Sequence, residues 1–105
     1  TCALPISELT KAQTEITQYN KQSQLELNKA NRQVQDAENK VNLTQLALEQ
    51  SKEAYRIRKN RYDQGLEKSS DLLMSETTMS QKDLEYQQAI FEYNVALEYY
   101  KFLKN

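Results

Sequence analysis

The chain has 105 residues, 38% of them hydrophobic, a mean hydropathy of -0.90, and one Gly and one Pro. So little turn chemistry excludes an ordinary compact globule and suits extended helix with a narrow apolar stripe. Lys and Arg number 14 against 15 Asp and Glu, a formal net charge of -1 with the signs interspersed, which leaves nucleic-acid binding no electrostatic footprint.

Thr1-Cys2-Ala3-Leu4-Pro5-Ile6 reads as a translated sequencing adapter, and residues 1–6 are set aside from fold reasoning. The alternative for these six is a loop before a helix, with Pro5 near its start. On the adapter reading the protein is expected to continue upstream.

Residues 7–63 carry the first helical pattern. Leu9, Ala12, Ile16 and Tyr19 fall at alternating steps of three and four. Leu27, Ala30, Val34, Ala37, Val41, Thr44, Leu48, Ser51, Tyr55, Arg58 and Tyr62 keep an unbroken heptad series. The step of eleven residues from Ile16 to Leu27 is one stutter, which locally unwinds a left-handed supercoil. Leu at every seam position, the mark of a tight two-stranded zipper, is absent. A second stripe of Leu43, Leu46, Ala47, Ala54 and Ile57 predicts a second helical neighbour. At ~1.5 Å per residue this helix is roughly 85 Å long.

Gly65 is the only glycine, and helical sequence lies on both sides of it. Such a Gly stops a helix, because it enters the left-handed conformation without a Cβ clash. A tip turn is therefore predicted over 64–68. Ser69 and Ser70 offer the next N-cap, and Asp71 places negative charge in the first turn.

Residues 69–105 form the returning arm, helical over 69–104. Leu72, Met79, Tyr86, Tyr93 and Tyr100 recur every seven residues, flanked by Ala89, Ile90, Ala96 and Leu97. The tyrosines read as seam packing, with their hydroxyls reaching water or a neighbour. Leu73, Leu84, Phe91, Val95 and Phe102 make a second stripe here too.

The predicted fold is all-α, a long antiparallel two-helix coiled-coil hairpin. Folding at Gly65 sets a register in which facing residue numbers sum to about 132. Tyr55 then lies near Thr77, Leu48 near Leu84, Val41 near Phe91 and Val34 near Glu98. Residues before about 27 have no partner left in the chain. Their stripe from Leu9 to Tyr19 must face another segment or subunit.

Arg61-Tyr62-Asp63-Gln64-Gly65-Leu66, followed by Asp71-Leu72-Leu73, resembles the periplasmic tip of the TolC-like outer-membrane efflux protein family. That pattern is Arg, aromatic, two variable residues, Gly and an apolar residue, then Asp-(Leu/Val)-Leu six residues after the Gly. Ala89-Ile90-Phe91-Glu92-Tyr93-Asn94-Val95-Ala96-Leu97 resembles a later stretch of the same family. The likeness covers the chain from about residue 50 onward. Two positions depart from it. Lys68 stands where many members have a capping Ser or Thr, which moves the expected cap to Ser69 or Ser70. Met74 stands where many carry a second acid, so a double-acid constriction is not matched.

The resemblance implies the second, C-terminal hairpin of a homotrimer whose α-barrel crosses the periplasm beneath an outer-membrane β-barrel. Contact with the membrane would come only through that β-barrel, which this chain lacks. Arg61, Tyr62, Gly65 and Leu66 would form a tip that docks a periplasmic adaptor, joined through it to an inner-membrane pump. Asp71, Leu72 and Leu73 would sit at the periplasmic mouth. Polar seam residues (Thr44, Ser51, Thr77, Ser80 and Gln87) suit a tunnel wall with one wet face.

No His is present, and no carboxylate pair with a base or phosphate loop appears, so neither catalysis nor a cofactor or metal is expected. No apolar run is long enough to span a bilayer as a helix. Two other readings of the hairpin are a periplasmic adaptor coil, which should carry flanking lipoyl-like strands, and a plain structural coiled coil.

Overall fold

The computed structural model describes the backbone of residues 3–105 and side chains from residue 8; Thr1 and Cys2 lie outside the described residues. Two helices, α1 (Ala3–Asp63) and α2 (Ser69–Lys104), account for the described residues apart from the tip turn and Asn105, with no strand among them. α1 begins at Ala3, ahead of the expected start near residue 7, so Ala3–Ile6 form neither a break nor a loop. Pro5 is tolerated there because the first-turn N–H groups have no intrahelical acceptor anyway.

The molecule measures 96 × 17 × 14 Å with a radius of gyration of 26.1 Å. A compact domain of this length would have about 13 Å. The long dimension is that of α1, whose 61 residues span about 92 Å at the helical rise. α2 packs along part of α1 only.

The heptad series defines the seam. Leu27, Ala30, Val34, Ala37, Val41, Thr44, Leu48, Ser51 and Tyr55 are all buried or half-buried, as are Leu72, Met79, Tyr86, Ala89, Ile90, Tyr93, Ala96, Leu97 and Tyr100. At its centre Ala30, Leu48 and Ala89 are 1%, 5% and 0% exposed. Small residues at closed points let two helices approach while Leu and Tyr fill the gaps between them. Thr44 and Ser51 satisfy their hydroxyls within α1, donating to the carbonyls of Lys40 and Val41 and of Leu48. Thr77 donates to Leu73 and is exposed, and Ser80 and Gln87 are exposed as well, so this polar set does not share one face of the seam.

Lys40 Nζ bonds Glu92 Oε2 across the hairpin at 3.0 Å, between residues whose numbers sum to 132. One groove joins Ala37 and Lys40 to Val95 and Phe91 in the same register. The expected pairs hold as levels, not as facing contacts. Thr77, Leu84, Phe91 and Glu98 are all exposed, Leu84 and Phe91 as members of the second stripe, and Phe91 is 69% exposed. Register fixes height along the axis; the 100° step of the helix fixes direction separately. Arg58 and Tyr62 also leave the seam and are exposed.

Candidate functional site at the hairpin tip

The turn begins as a helix C-terminus that must dispose of orphan carbonyls. Leu66 N–H donates to the Arg61 carbonyl at 2.8 Å, and Gly65 N–H donates to the Tyr62 carbonyl at 2.9 Å. This nested pair is a Schellman motif, and it requires a left-handed residue between its partners. Gly65 supplies it with φ +78°. A Cβ built on Gly65 would meet nothing within 4 Å, so the demand for glycine comes from the backbone angle, not from crowding.

The chain then leaves the turn through Lys68, at φ -78° and ψ 148°, which is the N-cap of α2. The serine cap expected at Ser69 or Ser70 does not form. Lys68 is extended and its carbonyl already accepts Leu72 N–H at 3.1 Å, so both serines fall inside the first helical turn. The cap has no side-chain hydrogen bond, and Asp71 is the acid of that turn. Its charge faces the positive end of the helix dipole, favourable by about 0.3–1 kcal/mol.

The residues singled out at the tip divide by direction. Leu66, which follows the left-handed Gly65, is 65% exposed. Tyr62 and Leu73 are also exposed, whereas Asp71 and Leu72 turn half-buried toward α1. Asp71 lines an open groove of about 320 Å³ beneath the tip, shared with Arg58, Ser51, Ser75, Met74 and Thr78.

Arg61 has an intramolecular partner: its Nε lies 3.5 Å from Glu67 Oε2. Arg58 Nη1 donates to the other oxygen, Oε1, at 2.8 Å. The Glu67 side chain is only 10% exposed, although it sits in the turn. Reading the sequence singled out both arginines' neighbourhood and passed over Glu67. The available signal was two Arg three residues apart at the end of one helix, with a single acid just beyond the glycine.

Among the described residues there is no group of three or more Cys, His, Asp or Glu that could hold a metal, and no helix is long and apolar enough to cross a membrane. Compared with protein-family models, curated proteins and solved structures, the chain matches none.

Proposed function

We propose that the chain is a periplasmic hairpin of a TolC-like outer-membrane efflux or secretion channel. On this reading it forms part of the helical tunnel wall of a homotrimer, and its tip docks a periplasmic adaptor joined to an inner-membrane pump. The chain acts as passive wall, with no catalytic step and no cofactor.

The observation that carries the reading is a second apolar row on each helix outside the closed seam. Leu43, Leu46 and Ile57 on α1 and Leu73, Leu84, Phe91, Val95 and Phe102 on α2 are all exposed. A self-sufficient pair of helices needs one seam each; a helix in a ring meets a neighbour on either side and needs two. Exposed apolar area of this extent marks an interaction surface. The tip motif adds the docking role, with Leu66 outward on a turn held by Gly65. A plain coiled-coil scaffold would have no use for the outward rows.

The test places a photo-crosslinking amino acid at Leu66 or Phe91 in the complete protein, in cells. Label at Leu66 should capture the adaptor, and label at Phe91 should join copies of the same protein. Crosslinks from Leu66 to no periplasmic protein, with Phe91 also silent, would overturn the reading.

A further inference from the structure

We infer that Glu67 is the positioning residue of the tip, a clasp that fixes the turn by holding Arg58 and Arg61 of α1 with one carboxylate. The motif from Arg61 to Leu73 explains the turn's backbone but not its direction. A Schellman turn closes α1 and leaves the following residues free to leave at several angles, and the N-cap of α2 adds no side-chain bond to restrict them.

Glu67 supplies that restriction. It stands between the last Schellman residue, Leu66, and the N-cap, Lys68, so its carboxylate acts at the junction itself. Oε1 accepts a hydrogen bond from Arg58 at 2.8 Å, and Oε2 forms a longer ion pair with Arg61 Nε at 3.5 Å. Arg58 and Arg61 are three residues apart and therefore neighbours on the surface of α1. The clasp thus spans α1's last two turns and ties them to the start of α2. Charge-assisted hydrogen bonds are stronger than neutral ones, and a carboxylate removed from water depends on them more than an exposed one does. The neighbouring pairs on α1, Glu53 with Arg56 and Lys59 with Asp63, join residues of one helix and leave both partners half exposed or more.

One consequence rests on the docking reading above: Arg61 and Arg58 would orient the tip rather than touch the adaptor. The clasp itself does not depend on that reading, and its test needs no adaptor.

The experiment is a double-mutant cycle on the 105-residue chain, read by hydrogen exchange at the Gly65 and Leu66 amides, which make the two Schellman bonds. Glu67→Gln should speed exchange there by about fivefold to tenfold, allowing for the half-exposed arginines. Arg58→Gln should do much the same, and the double variant should be little faster than Glu67→Gln alone. Glu53→Gln, which removes an exposed pair elsewhere on α1, should leave both amides unchanged. Exchange within twofold of the parent in Glu67→Gln would overturn the clasp. So would independent, multiplying effects of the two substitutions, or an equal effect of Glu53→Gln. Should these hold while Leu66 captures no adaptor, the clasp stands and the docking reading falls.

Discussion

α1 contains two regions with the same sequence signature and opposite fates. From Leu27 to Tyr55 its heptad residues are buried or half-buried against α2. From Leu9 to Tyr19 the residues at the same steps are exposed, because α2 ends at Lys104 and, in the observed register, does not reach them. Periodicity therefore identifies a face without identifying what covers it. The physical difference between the regions is one of partner supply, and it gives each substitution along α1 a different expected cost.

The largest effect should fall in the paired region. Leu48→Ala removes a nearly buried side chain from a seam with few others and should cost about 2–3 kcal/mol, read as a lower urea midpoint of the helical signal. Equal sensitivity at Leu48 and Ile16 would break the comparison.

These two regions also show what was legible beforehand. The seam was readable because a helix imposes steps of three and four on any residue that faces one neighbour. The register was readable because both arms share one rise per residue and one turn, and the Lys40–Glu92 bond lies where that arithmetic puts it. Level did not give facing: the register put Leu84 and Phe91 opposite Leu48 and Val41, whereas their place in the second stripe pointed them outward, as observed. Tyr62 continues the heptad on paper, but at its level α2 has only begun at Ser69 and offers little to pack against. At the tip, Gly65 was legible because positive φ is nearly private to glycine. The cap at Lys68 was not, since it depends on where the chain leaves the turn, which residue preferences do not encode; for Glu67 the sequence held only the signal of a lone acid beyond the glycine and two arginines on α1.

The tip ranks next. Gly65→Val places a β-branched residue at φ +78° and should cost about 1–2 kcal/mol with no clash to relieve, seen as a smaller midpoint shift than that of Leu48→Ala. On the proposed channel reading, the same change in the complete protein should abolish efflux while the trimer still assembles. Normal drug resistance in that variant would remove the tip from the mechanism.

Ile16→Ala, in the unpaired region, should change the stability of the isolated chain by less than about 0.5 kcal/mol, since no buried contact is lost. A drop comparable to Leu48→Ala would mean that the overhang has a partner in solution, and a concentration series would then reveal it.

The smallest effect concerns charge. The Arg56 hydrogen bond holds the Glu53 carboxyl below its ordinary value of 4.5 in the folded chain. A depressed folded value means that the pair helps the helix above the unfolded carboxyl's range and that this help is lost as pH falls through the folded value. Both groups are exposed, so Glu53→Gln should remove only a slight loss of helicity on acidification. A larger acid sensitivity in that variant than in the parent would have the wrong sign.

Hydrogen exchange along α1 of the dilute, monomeric chain separates the paired region from the overhang. A step is expected near residue 27: amides from Ala30 to Tyr55 strongly protected, amides from Leu9 to Tyr19 exchanging almost as fast as an unpacked helix allows. Uniform protection from Leu9 to Tyr55 in a monomer would contradict it, because helix alone would then account for the stability assigned to the seam.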